Sequence, residues 1–227
     1  MTSPAPAPGT LRERKKQRIR EEIYTAALRL LAEQPYDKVS VDDICARAQV
    51  GRATFFRCYG TKAGLLAEFN RRLAELARTA IAGRDATGSG APPSAADHLR
   101  LVQGTLAAYW AAAGPGPRKM ALAFITEGSI GMLADGDDAV HPDLLRLVTG
   151  IVRRGQAAGE LDTRLAPDFI AWLIVTALAA ATGTWLVGHE HADLDRTTAD
   201  TLDVLLTGLT GARDSDPAFT GAGSGRG

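Results

Sequence analysis

Residues 40–62 read SVDDICARAQVGRATFFRCYGTK, and this stretch decides the fold. Ser40 followed three residues later by Asp43 is a capping-box signal: the hydroxyl accepts from a free backbone N–H while the acid favours the positive helix start. Val41, Ile44, Cys45 and Ala48 then fall on one face at helical spacing, which predicts a short helix over 41–48 with Asp42 and Arg47 facing water. Gln49, Val50 and Gly51 allow a tight turn. A second short helix, Arg52 to Tyr59, turns Phe55 and Tyr59 inward and carries Arg52, Ala53, Thr54, Phe56 and Arg57 on its outer side. Two short helices joined by a three- or four-residue turn, the second basic on its exposed face, match the way a recognition helix enters the major groove.

Upstream, LRERKKQRIR places six basic residues between Arg12 and Arg20 and leads into Ile19, Ile23, Ala26, Ala27, Leu30 and Leu31 at helical spacing. A helix therefore runs to about Glu33 and stops before Pro35. The basic run reads as a solvated arm or as an extension that binds the DNA minor groove or backbone, and its position beside the recognition unit favours the second. Residues 1–10, MTSPAPAPGT, lack an apolar period and are expected to be a disordered arm.

Downstream, Thr61 caps a helix expected from Lys62 to about Ala82, with Leu65, Leu66, Phe69, Leu73, Leu76 and Ala80 inward. Lys62 then sits at a helix start, where backbone N–H groups and its ammonium can hold one phosphate together. Residues 83–94, GRDATGSGAPPS, read as a loop. Helical periods recur over 95–113 (Leu99, Val102, Leu106, Trp110), 118–133 and 142–158, and no segment alternates like a strand.

Phe169 to Gly188 is 20 residues without a charge, long enough to cross a membrane. Its Ala, Thr and Gly content and the lack of a flanking basic cluster favour a buried helix started by Pro167. A last helix over about 195–209 carries Leu202, Leu205, Leu206 and Leu209 on one side. Residues 211–227 read as a flexible tail.

The formal net charge of zero hides an asymmetry: residues 1–80 hold 15 Lys/Arg and 9 Asp/Glu, the remainder 11 and 17. A basic head on an acidic body is the balance of a protein that binds phosphates at one end. Two cysteines, Cys45 and Cys58, and the lack of an N-terminal signal segment lead us to expect a cytoplasmic protein without disulfides.

Residues 19–66 resemble the N-terminal domain of the TetR family of transcriptional regulators. The matching pattern comprises Ala26–Ala27, Ser40–Val41, Ile44 with Cys45, Ala48-Gln49-Val50, Thr54-Phe55-Phe56, Tyr59, and Lys62 followed by Leu65–Leu66. The resemblance implies an all-α protein with a three-helix, helix-turn-helix DNA-binding domain (11–62) and a helical effector-binding and dimerisation domain (63–210). The last two long helices of each subunit would form a four-helix dimer interface. It further implies base contacts by Arg52, Ala53 and Arg57 and phosphate contacts by Thr54 and Lys62, with Ser40, Phe56, Cys58 and Tyr59 in the same DNA-binding segment. Three residues depart from the family pattern: Gln49 replaces a turn glycine, Phe56 a tyrosine whose hydroxyl reaches a phosphate, and Cys58 a frequent histidine. A left-handed backbone at Gln49 would cost about 1 kcal/mol or more.

No catalytic constellation, nucleophile motif or Gly-rich phosphate loop is present, so an enzyme is not expected and no cofactor is implied. Residues 135–143, DGDDAVHPD, gather Asp135, Asp137, Asp138 and His141, but without the spacing of a calcium loop they read as a solvated acidic turn, and no metal is expected. Trp110, Phe124, Trp172 and Trp185, with Glu127 and Thr176 as polar groups, are the candidate lining of a small-molecule pocket. The expected protein is a homodimeric repressor that binds a palindromic DNA operator and is released by a small-molecule effector, with no membrane partner. A helical metal-dependent enzyme built on the acidic loop and an interaction module without DNA affinity are the competing readings.

Overall fold

The computed structural model describes residues 10–87, 92–131, 143–188 and 193–210, with the side chains of 127–131 outside that description. The expected arm at residues 1–10 (save Thr10), the tail at 211–227 and the acidic loop with Asp135, Asp137, Asp138 and His141 lie outside the described residues. Within them every regular element is a helix: α1 (Leu11–Glu33), a 3-10 turn (Tyr36–Lys38), α2 (Val41–Ala48), α3 (Arg52–Tyr59), α4 (Gly64–Thr87), α5 (Ala95–Ala112), α6 (Pro115–Gly131), α7 (Asp143–Ala157), α8 (Pro167–Gly188) and α9 (Leu194–Thr210). The protein is all-α.

Local chemistry sets most of these boundaries. The Ser40 hydroxyl accepts from Asp43 N–H at 3.0 Å and the Asp43 carboxylate accepts from Ser40 N–H at 2.9 Å, which holds the Asp43 pKa below its ordinary value. The same reciprocal box starts α1 at Thr10/Glu13 and α5 at Ser94/Asp97. Gln49 ends α2 in the left-handed region, φ 54° and ψ 42°, as its place in the turn predicted.

Three boundaries differ from expectation. Helix α4 begins at Gly64, with Thr61 Oγ1 accepting from Gly64 N–H at 3.2 Å, so Lys62 lies in the preceding turn. Its far end runs on to Thr87 through what composition marked as loop; the Thr87 hydroxyl donates to the Gly83 carbonyl at 3.0 Å, and Asp85 pairs with His98 of α5 at 3.2 Å. Helix α6 begins at Pro115 because prolines in a first helical turn lose no hydrogen bond. There a Cβ on Gly116 would lie 2.2 Å from the Leu28 carbonyl, so this glycine permits the close approach of α1 and α6.

Packing joins the head to the body. One apolar cluster runs from Ile23, Tyr24 and Leu31 of α1 through Ile44, Phe55 and Tyr59 to Leu65 and Phe69 of α4, and continues to Trp110, Met120 and Trp185. Full burial of a side chain such as Phe55 or Ile44 is worth about 1.5–3 kcal/mol. A second cluster, around Leu99, Val148, Ile151, Ile170, Ile174 and Leu202, closes α5, α7, α8 and α9. Leu76, expected inward, is 36% exposed; the stripe from Leu66 through Phe69 and Leu73 continues at Ala77 instead.

Helix α8 corrects a further expectation. It is long and apolar enough to cross a membrane by length and composition, yet only a third of its apolar window is buried. Ile170, Ile174 and Trp185 pack inward, while Phe169 (47%) and Val187 (70%) face out, as does Val204 of α9 (74%). No described helix of this chain covers that outer side.

Candidate nucleic-acid interface and ligand cavity

The second helix of the helix-turn-helix, α3, divides its residues cleanly. Phe55, Cys58 and Tyr59 are buried; Arg52, Ala53, Phe56 and Arg57 are exposed, and Thr54 is half-buried. The Arg52 guanidinium forms an ion pair with Asp42 of α2 and lies 5.7 Å from the centre of the Phe56 ring. Arg57 donates to Thr54 Oγ1 at 3.3 Å. The outward face is thus basic with one exposed aromatic ring, while Ser40 stands exposed at the start of α2.

Cys58 and Tyr59 do not share that outward face. Their side chains fall on the core side of α3, one turn from Phe55, and the Tyr59 hydroxyl donates to the Arg20 carbonyl at 2.8 Å. Burial drives the Tyr59 pKa up. Lys62 is held differently from the helix-start reading: its ammonium donates to the Tyr36 carbonyl and lies 4.0 Å from the centre of that tyrosine's ring.

Behind α3 lies an ionic network that the sequence reading missed. Glu68 of α4, its side chain 1% exposed, accepts from Arg20 at 2.9 Å, Arg71 at 2.6 Å and Arg72 at 2.9 Å. Arg72 also makes a bidentate pair with Glu21 of α1 at 2.6 and 3.1 Å and lies 3.9 Å from the Tyr24 ring centre. Burial by itself would raise the Glu68 pKa; the three guanidinium hydrogen bonds outweigh it and bring it to about 2. A glutamate at the edge of an otherwise apolar stripe, flanked by two arginines at i+3 and i+4, was the available signal.

The next turn of α4 borders a cavity of about 90 Å³ between α4, α5, α6, α7, α8 and α9. Its walls include Phe69, Leu73, Val102, Trp110, Phe124 and Ile174, with Asn70, Gln103, Thr182 and Thr198 as polar members. Of the candidate pocket residues, Trp110 and Phe124 line it. Trp172, Thr176 and Trp185 do not: the α8 residues that line the cavity are Ile174, Val175, Leu178, Ala179 and Thr182. The Glu127 side chain lies outside the described residues. Gln103 donates to Thr198 Oγ1 at 2.8 Å and to Asp195 Oδ1 at 3.0 Å. Among the described residues no three His, Cys, Asp or Glu side chains are grouped to hold a metal ion. Both cysteines are free and buried.

The family model for bacterial regulatory proteins, tetR family, matches residues 23–69, which span the second half of α1, the 3-10 turn, α2, α3 and the start of α4. No curated protein matches the chain by sequence. Among solved structures, FadR from Bacillus subtilis in complex with stearoyl-CoA is 18% identical over 83% of this chain and 98% of its own, with a TM-score of 0.61. Thermus thermophilus FadR, a TetR-family repressor in complex with lauroyl-CoA, is 20% identical over 88% of this chain and 98% of its own, with a TM-score of 0.61. SmeT, repressor of the Stenotrophomonas maltophilia multidrug efflux pump SmeDEF, is 20% identical over 90% of this chain and 94% of its own, with a TM-score of 0.59. At these identities the likeness to the solved structures is one of fold. Residues 23–69 thus match the tetR family model, and the chain as a whole shares the all-helical fold of solved TetR regulators.

Proposed function

We propose that the protein is a dimeric repressor that binds a palindromic operator and is released by a small-molecule effector. The observation that carries this reading is the layout of α3 and α4. The exposed basic face of α3 stands at one end, and the turn of α4 that backs it through Glu68 leads directly into Phe69, Asn70 and Leu73 of the cavity wall. Residues 11–62 serve as the DNA-binding head and residues 63–210 as the effector-binding and dimerising body. Arg52, Ala53 and Arg57 meet base edges; Ser40, Thr54, Phe56 and Lys62 lie at the backbone.

Dimerisation uses the outward apolar side of α8 and α9, where Phe169, Val187 and Val204 would otherwise stay in water. Two heads then reach half-sites about 34–36 Å apart, one helical turn of DNA. Acyl-CoA complexes of the two FadR proteins support an apolar effector for this cavity, whose walls are chiefly hydrocarbon. The effector acts by its difference in affinity for the DNA-bound and released states, and by linkage DNA weakens its binding equally.

Selection from random double-stranded DNA tests the reading. The expected product is a palindrome bound by one dimer; recovery of no sequence above background would overturn it.

A further inference from the structure

The polar side chains that line the cavity are all uncharged. Asn70 of α4 is 2% exposed, and its Oδ1 accepts from the backbone N–H of Leu144, near the start of α7, at 3.1 Å. That contact settles the orientation of the carboxamide, since the reversed group would set NH₂ against N–H. Nδ2, with two hydrogens, is therefore the atom left over. Among the described residues the Leu144 contact is the side chain's one hydrogen bond, and the Thr182 hydroxyl, on a residue 8% exposed, makes none. Both residues line the cavity, α4 on one side and α8 on the other. Gln103 and Thr198, the other polar lining residues, bond to each other.

Asn70 Nδ2 and the Thr182 hydroxyl therefore bring hydrogen-bonding capacity unused by the described residues to the cavity wall, where a ligand's polar atom can meet it. No described lining residue is ionisable, so a carboxylate, phosphate or ammonium inside the cavity would lie unpaired in a hydrocarbon wall. We infer that the cavity recognises a neutral, mostly hydrocarbon molecule by one carbonyl-type oxygen, which accepts hydrogen bonds from Asn70 Nδ2 and the Thr182 hydroxyl. A ketone, ester, lactone or amide has this chemistry. The ligand's oxygen and the Leu144 amide then share one carboxamide, so that occupancy and the position of α7 are read by the same side chain. This assignment rests on the cavity being the effector site.

The test uses the full-length protein without DNA and three ring probes of matched size: cyclohexanone, methylcyclohexane and cyclohexanecarboxylate. Each is titrated by nuclear magnetic resonance, with the Asn70 side-chain amide followed directly. Cyclohexanone is expected to bind roughly fivefold to tenfold tighter than methylcyclohexane, the net worth of a hydrogen bond. It should move the Asn70 Nδ2 resonances, and the carboxylate should not enter. Asn70→Asp keeps the acceptor for Leu144 N–H but replaces the donor by a second acceptor, so it should abolish the ketone preference. Thr182→Val, nearly isosteric, should reduce that preference about threefold and does not touch the α7 contact. A carboxylate that binds as tightly as the ketone, or a ketone preference kept in both variants, overturns the assignment. The operator complex is measured separately. An Asn70-dependent ketone site that leaves DNA binding unchanged upholds the site and removes its effector role.

Discussion

Arg20 and Cys58 are joined across the inner side of α3: the guanidinium of Arg20 donates to the Cys58 carbonyl at 2.6 Å. This satisfies a carbonyl of the last turn of α3, which has no partner within its own helix. The same guanidinium reaches Glu68 at 2.9 Å, and the Tyr59 hydroxyl donates back to the Arg20 carbonyl. One side chain thus ties the end of α3 to both α1 and α4, through a carboxylate that lies outside α3.

The network has a pH signature. Glu68 titrates near 2 rather than at its ordinary 4.5, so its contribution is fully present above about pH 4.5 and is lost as the pH falls through 2. Its arginine partners are partly exposed, which reduces the worth of the pairs to an estimated 2 kcal/mol or so. Glu68→Gln should lose about that much stability at pH 7, and urea denaturation should show the gap to the native protein closing between pH 5 and pH 2. A gap that is constant with pH would assign the loss to packing.

Gln49 holds φ at 54°, where any residue with a Cβ is disfavoured. Gln49→Gly should raise stability by about 0.5 kcal/mol, the relief of strain less the greater freedom of glycine in the unfolded chain. Gln49→Val should lower it by about 1 kcal/mol. Chemical denaturation midpoints at constant slope measure both, and a loss of stability with glycine would show that the Gln49 side chain itself holds the turn.

Arg52 is paired with Asp42, so the proposed base contact would exchange one partner for another. Arg52→Ala should weaken the selected operator by about 1–3 kcal/mol and relax base preference at one position per half-site. Lys62→Ala should weaken selected and random DNA alike, since phosphates carry no sequence information. Equal losses on both kinds of DNA for Arg52→Ala would place that residue at the backbone.

Phe56, 41% exposed beside Arg52, presents a ring without a hydroxyl. Phe56→Tyr should strengthen DNA binding by about 1 kcal/mol per subunit through a hydrogen bond to a phosphate. Adding no charge, it should leave the salt slope unchanged. Weaker binding with the fold intact would show that the ring packs against an apolar surface of the DNA.

Val204 offers a sharper probe of the dimer than Leu205, which is half-buried against its own chain. Val204→Arg places a charge on the outward side of α9 without disturbing the core of the subunit. If α8 and α9 form the interface, the unpaired charge should cost several kcal/mol and sedimentation should report monomers. An unchanged dimer would move the interface elsewhere.

The helix-turn-helix was legible in residues 40–62 because its determinants are local. A cap, a turn and an apolar period act over three or four residues, so α2 and α3 begin and end where their own sequence requires, and Gln49 takes the turn conformation its position demands. Tertiary structure decided what lies between distant segments. Glu68 meets Arg20 and Glu21 meets Arg72 across about fifty residues, and no periodicity encodes that meeting. The same holds for the cavity: Trp110 and Phe124 were recognisable as large apolar residues, but which turn of α8 faces them depends on the rotation of that helix. Helix α8 is apolar on nearly every side, so its own sequence does not distinguish Thr182, which lines the cavity, from Thr176, which does not. Packing against α6, α7 and α9 sets that rotation, and with it the polar groups that the cavity presents.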